Sequence, residues 1–516
     1  MELWNYFQIL DQKQKGWLFK KDNIEERLLA LIKILELGYP SSIQSLIPFL
    51  KDENKEIQLT TCKVITQLFN NIETKKSYYD TLKHCDIETS DLDTYNQVFT
   101  SEECLILFSI ASMNSNGYVR EEAIKCLTNS NSEKAIPFIV YRLADWVPSV
   151  RKTALKCIEN FIKSKYLKAL VDNLTLFEWL QKVERINLNQ IHSDIMTFVV
   201  FENKKYITEN FKSFNDKIRI SIAKLFSNST NLKPEELNLL LSDNHFIIRN
   251  FAIPHFDKLT QQEIDILLKD KSAKIRIQVL YRLKNKNNFR ELIIPFLADK
   301  SASIREFARF SLKNCISDFA SIYNDNLLQK KDIIGSLSGL AETSGKKFVD
   351  NVVPFLNDKK ISIRKKAFLA LKQLDDSKAY IFALQNLGSD YLGIRNIIIA
   401  YFSNIATTAV LQKARDIYAS GQYDLKISML KLFSQVGKWT TIADIMIGTI
   451  DENENIRQIS LIYLQQWRDK ASSYFIQPTP GDLERANQTF QLTYKIHEEK
   501  RYFNQNPLTG IDFYLR

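Results

Sequence analysis

The chain has 516 residues, 70 Lys and Arg against 60 Asp and Glu, and a net charge of +10 at pH 7. An apolar fraction of 45% and a charged fraction of 25% are those of an ordinary folded soluble protein. The length exceeds what one hydrophobic core serves, and only 13 Gly and 11 Pro occur, so a helix-rich set of domains or a repeat array is expected rather than a many-turned β protein.

The opening, MELWNYFQILDQKQKGWLFKK, lacks the basic segment, apolar core and small-residue cleavage site of a secretory leader, and none is expected. No apolar run reaches the roughly 18 residues that a membrane span needs. Residues 1–104 read as an N-terminal region of degenerate helical repeats, through NIEERLLALIKIL and EIQLTTCKVI. Over 71–103 an acidic cluster (Asp86, Glu88, Asp91, Asp93) predicts a long connection or irregular hairpin. Cys62, Cys85, Cys104, Cys126, Cys157 and Cys315 form no C-x-x-C pair. They read as small core residues in a reducing compartment, with the cytoplasm as the expected location.

From 105 to 465 the chain is periodic. Arg120, Arg151, Arg219, Arg249, Arg276, Arg305, Arg364, Arg395 and Arg457 each follow a Val or Ile and open an apolar helical run, and Lys426 fills a tenth slot. The intervals are 31, 68, 30, 27, 29, 59, 31, 31 and 31, the two long ones being double steps across a degenerate anchor. A period of this size marks a solenoid of helical hairpins. An Asp stands six positions before the anchor in Asp145/Arg151, Asp243/Arg249, Asp270/Arg276, Asp299/Arg305, Asp358/Arg364 and Asp451/Arg457, and Asp52 stands likewise before Gln58. Such an Asp is predicted to accept from free amides where the next helix starts, and the Arg to fork toward the Asp of a neighbouring repeat, forming a structural ladder. Val150, Ala154, Cys157 and Ile158 then fall on one helix face. Over 160–212 a repeat without a clear anchor is expected, with Arg185 in about the right place.

The turn Asp, the hydrophobe-Arg pair and the small residue three positions later (Ala123, Ala154, Ala252, Ala308, Ala367) resemble HEAT repeats, in the short form of about 30 residues found in phycobilisome lyases. Ile222, Val279 and Ile398 depart from the small-residue pattern. The resemblance implies an all-α fold, an α-solenoid in which HEAT-like hairpins stack into a right-handed superhelix. It says little of function, because such arrays serve many unrelated partners.

Residues 466–516 leave the period. There QPTPGD predicts a turn, with Asp482 capping a polar helix to about residue 500. The aromatics of the last segment, Tyr502, Phe503, Phe513 and Tyr514, predict a tail that packs back as a cap.

Catalytic constellations are sparse. The five histidines (His84, His192, His245, His255, His497) show no metal-ligand spacing, and no G-x-S-x-G, phosphate loop or Cys-His arrangement occurs, so no metal or cofactor is expected. Bacterial alkylpurine DNA glycosylases resemble the chain in fold type and basic charge and use Trp and Asp residues to hold a damaged nucleotide. Trp146 beside Asp145 invites that reading, but Asp145 is already the turn Asp of its repeat, and Trp146 then reads as a packing aromatic.

Two surfaces remain. Position +5 from each anchor should point away from the core stripe, and that row reads Lys125, Lys156, Lys224, Pro254, Tyr281, Phe310, Leu369, Ala400, Lys431 and Ile462. Its apolar centre, Tyr281 and Phe310 with Leu369 nearby, is a candidate protein-binding groove on the concave side. Residues 211–310 carry 18 Lys and Arg against 11 Asp and Glu, and Lys271, Lys274, Lys284 and Lys286 make this basic segment the candidate for nucleic acid. The expectation is a non-catalytic scaffold binding a protein; the rivals are a nucleic-acid binder, and an enzyme of the glycosylase or bilin-lyase kind.

Overall fold

The computed structural model describes residues 3–12, 23–72, 75–229 and 232–515. Part of the opening in which a leader was sought (1–2 and 13–22) and the last residue of the tail lie outside the described residues. All regular elements among the described residues are helical, with no strand. They form two compact units, 1–266 and 267–516, and each is a stack of short helical hairpins, as an α-solenoid requires.

In the first unit Ile24–Leu37 packs on Lys55–Asn70, and Gly117–Asn129 packs on both Ser101–Ala111 and Pro148–Glu159. The predicted stripe of Val150, Ala154, Cys157 and Ile158 is buried. Of the two alternatives for residues 71–103, a long connection or an irregular hairpin, the second is found: they hold the helices Lys75–Leu82 and Thr89–Val98. Asp91 of the acidic cluster is buried there, accepting from the Glu88 amide at 2.8 Å and pairing with Lys51 at 2.7 Å. Over 160–212 the chain breaks into short helices, and Arg185 lies in the turn between Leu174–Leu180 and Asn189–Met196. It is exposed and anchors no helix, which corrects the expectation for that residue.

In the second unit Ala273–Leu283 packs on Ala302–Leu312. Further along, Ile361–Leu374, Leu392–Phe402, Tyr423–Val436 and Glu454–Ala471 stack in succession. The C-terminal helix is Pro480–Lys500, but its cap is Thr479, not Asp482. The Thr479 hydroxyl oxygen accepts from the Asp482 amide, and the Asp482 carboxylate accepts from that hydroxyl. The tail does return to the stack: Leu508, Ile511 and Leu515 are buried, Tyr514 meets Trp467 edge-on at 5.7 Å, and Arg468 donates to the carbonyls of Pro507 and Thr509. Phe513 stays exposed.

The repeat anchors work through two arms. The first is local. One terminal nitrogen of the guanidinium donates to the carbonyl six residues back, as in Arg151 to Asp145, Arg249 to Asp243, Arg276 to Asp270, Arg305 to Asp299, Arg364 to Asp358, Arg395 to Ser389 and Arg457 to Asp451. The turn carboxylate meanwhile accepts from the amide two residues on: Val147 on Asp145, His245 on Asp243, Ser272 on Asp270, Ser301 on Asp299, Lys360 on Asp358 and Asn453 on Asp451. The second arm reaches the next repeat. It is a fork onto an Asp for Arg120 to Asp145, Arg219 to Asp243 and Arg276 to Asp299, and a single bond for Lys426 to Asp451. Elsewhere the partner differs: Glu342 for Arg305, Ser428 for Arg395, and the ring faces of Tyr391 for Arg364 and Tyr502 for Arg457. The ladder also begins earlier than its motif. Fully buried Arg27, which follows Glu26 rather than Val or Ile, pairs with Asp52.

The double step between Arg305 and Arg364 has a steric cause. Thirty residues after Arg305 the anchor slot holds Gly335, where a Cβ would lie 1.7 Å from the carbonyl oxygen of Ala298. One turn later, a Cβ on Gly339 would lie 2.3 Å from the Tyr323 ring. The helix Ile333–Glu342 lies too close to its neighbours for an arginine in that slot.

Two stability outcomes follow. Arg276→Ala should cost about 1–3 kcal/mol in urea unfolding, because Asp299 loses its fork in a half-buried site. Arg364→Ala should cost less, since its Nε and second terminal nitrogen have no hydrogen-bond partner among the described residues; equal losses would refute the forward arm as the stabilising one. Gly335→Ala should lower the melting temperature more than Gly481→Ala, a position with no heavy atom within 4 Å of the added carbon.

Candidate functional site

The row at position +5 is open to solvent where its apolar centre lies. Tyr281 is 54% exposed, Phe310 60% and Leu369 45%. The cores beneath are filled by other residues, namely Ile275, Val279, Leu280 and Leu283 under Tyr281, and Ile304, Ala308 and Leu312 under Phe310. Arg282 on the same helix is exposed and adds nothing to that core. Tyr281 rests on Phe307 at 4.5 Å between ring centroids, and Lys313 sits 4.3 Å over the Phe310 ring. The helices carrying Tyr281 and Phe310 pack directly on each other, so the two rings stand on neighbouring steps. Leu369 does not follow next. The helix Ile333–Glu342 packs between Ala302–Leu312 and Ile361–Leu374, and its Leu340, thirty residues after Phe310, is fully buried. The apolar row is therefore a pair of rings plus one separate leucine.

Lys271, Lys274, Lys284 and Lys286 are exposed at and beyond the two ends of the helix Ala273–Leu283. At about 1.5 Å per residue the helix holds the two pairs roughly 15 Å apart, which makes a strip along one repeat rather than a convergent patch.

Asp145 is not available for chemistry. It accepts from Arg120 at 2.8 and 2.7 Å, from Arg142 at 2.9 Å and from the Val147 amide at 2.9 Å, and is 3% exposed. The glycosylase-type pairing of Trp146 with a free Asp is thus absent. Trp146 is not packed in a core either: it is 75% exposed, with the Arg185 guanidinium 4.2 Å from its ring. Around it the fold gathers Tyr79, Tyr141, Arg142 and Trp179, a cluster that periodicity alone does not mark. Among the described residues no group of three or more His, Cys, Asp or Glu side chains comes together as a metal site, and no helix is long and apolar enough to cross a membrane. Burial pushes the Cys62 and Cys85 thiols up to about 12, which keeps both protonated.

No family model matches the chain, and no curated protein matches it. Among solved structures, the karyopherin Kap121p bound to the extreme C-terminus of the protein phosphatase Cdc14p aligns at 11% identity and a TM-score of 0.36, over 100% of this chain and 64% of that one. Kap121p alone aligns at 10% identity and a TM-score of 0.34, again over 64% of its length, and importin beta at 10% and 0.27, over 95% of this chain and 73% of that one. The chain thus spans less than two thirds of the length of Kap121p, and a likeness this distant carries no argument about partners.

Asp145, Glu342 and Asp451 share one electrostatic balance. Burial pushes each carboxyl up. The hydrogen bonds and charges of Arg120 and Arg142, of Arg305 and Arg309, and of Lys426 outweigh it and hold each below the ordinary carboxylate range. A carboxyl depressed in the folded state stabilises above its unfolded pKa of about 4, and that contribution is lost as pH falls through the lower folded value. Melting temperatures followed by circular dichroism should fall a little between about pH 7 and 5, where burial holds His192 and His497 neutral in the folded chain, and fall further below about pH 4 as these carboxyls lose their contribution. Asp145→Asn should melt lower at pH 7 and lose less on acidification.

Proposed function

We propose that the chain is a non-catalytic HEAT-like scaffold that binds a protein partner, with Tyr281 and Phe310 as anchors and Leu369 as an outlying contact. One observation carries the reading: two large rings sit more than half exposed at the same position of adjacent helices whose cores are already complete. Exposed rings at repeated positions are the residue type and placement of interface hot spots. The cytoplasm remains the proposed compartment.

The test begins with a partner recovered from the native host by co-purification and mass spectrometry. Tyr281→Ala with Phe310→Ala should weaken its binding at least tenfold, an ordinary hot-spot effect, and move the melting temperature by less than about 2 °C. A much lower melting temperature would make the rings packing elements and overturn the assignment. The rival use of the basic segment has its own readout. A specific nucleic-acid affinity tighter than about 10⁻⁸ M at physiological salt, abolished by Lys271, Lys274, Lys284 and Lys286→Glu together, would replace the protein-binding reading.

A further inference from the structure

The first unit contains a cavity of about 220 Å³ whose walls are Tyr79, Tyr141, Trp146 and Trp179, with Arg142 and Arg185 among its lining residues. Trp179 meets Tyr141 edge-on at 5.8 Å, Arg185 stacks on Trp146, and Trp146 and Tyr79 keep 75% and 43% of their surface exposed. Four rings thus line a recess that the core leaves unfilled.

The polar side of the cavity is unbalanced. Arg142 is 8% exposed; one terminal nitrogen donates to Asp145 at 2.9 Å and the other to the Met113 sulfur at 3.5 Å, while Nε has no partner among the described residues. Asp145, the one carboxylate that lines the cavity among the described residues, is already forked by Arg120. Two buried guanidiniums share a single carboxylate, and a buried donor without an acceptor is costly. Exposed Arg185 adds a further positive charge at the same recess.

Size and charge select the occupant. A dry cavity of about 150 Å³ holds a benzene ring, and sites for drug-sized ligands start near 300 Å³. The recess lies between these, which suits one aromatic side chain rather than a nucleotide or cofactor. The excess of arginine calls for negative charge next to the ring. We propose that this cavity receives an aromatic side chain from an acidic segment of a partner protein, the ring lying among Trp146, Trp179, Tyr79 and Tyr141 and a carboxylate or carbonyl oxygen accepting from Arg142 and Arg185. The inference rests on the reading of the chain as a protein-binding scaffold and adds a contact remote in sequence from Tyr281 and Phe310.

Calorimetric titration of the full chain with the peptide Ac-Asp-Asp-Trp-Asp-Asp-amide tests it, with Ac-Asp-Asp-Ala-Asp-Asp-amide, Ac-Lys-Lys-Trp-Lys-Lys-amide and AMP as comparators. The acidic tryptophan peptide should bind at least tenfold more tightly than either peptide comparator. Trp146→Ala and Arg185→Ala, both at exposed positions, should each weaken it at least fivefold with unchanged melting temperatures, while Tyr281→Ala with Phe310→Ala leaves it intact. Absence of binding, equal binding of the alanine peptide, indifference to both cavity variants, or AMP binding more tightly and displacing the peptide would each overturn the assignment. A native partner that ignores Trp146→Ala but is lost with Tyr281→Ala and Phe310→Ala would sink the cavity alone. The converse result would sink the ring pair and leave the cavity standing.

Discussion

The bond from an arginine to the carbonyl six residues behind it is the interaction on which the rest of each unit depends. It ties the first turn of a helix to the turn that precedes it, so the direction in which each hairpin leaves its turn is set locally. The turn Asp contributes twice, its main-chain oxygen to the arginine of its own repeat and its carboxylate to the amide two residues on. In several repeats that carboxylate also takes the arginine of the repeat before. An oxygen-rich turn and a cation therefore alternate through the stack, and the fixed geometry of the guanidinium makes the link directional in a way that a lysine at the same slot reproduces only with a single bond.

That arrangement explains what was legible in the sequence. The first arm spans six residues and recurs with the repeat, so the anchors and their Asp partners stand out as a period near 30. The exposure of Tyr281 and Phe310 was legible for the same reason, because their offset from the anchor is constant. The second arm joins residues 23 to 45 positions apart, and its partner depends on how closely two hairpins pack. Asp partners could be read; Glu342, Ser428, Tyr391 and Tyr502 could not. Arg27 escaped because the residue before it is Glu26. Arg185 misled because its distance from Arg151 fits a period while its local chain is a turn.

The aromatic cavity lies beyond any periodic reading. Its walls come from the helix Lys75–Leu82, the helix Ile136–Leu143 with the turn around Asp145 that follows it, and the stretch 179–185, and the last of these belongs to the segment where the repeat breaks down. The signal that remained in the sequence was a tryptophan immediately after a turn Asp, where the other repeats carry Asn, Lys or Glu. A large ring in a polar slot is a local departure from the repeat rule, and such departures are where binding surfaces tend to sit.

The irregular step at Gly335 bears on how the array can be edited. Several repeats share one connector, an arginine reaching forward onto the aspartate of the next. A duplicated or deleted unit among them would meet a matching connector. At this step Arg305 and Arg309 converge on Glu342, at the far end of the helix Ile333–Glu342, while the Tyr323 hydroxyl oxygen accepts from Arg309. No standard unit presents that arrangement. Residues 299 to 358 thus form a step of twice the usual length, and chimeras or shortened versions of this chain should be cut on either side of it rather than within it, so that Arg305 and Arg309 keep Glu342.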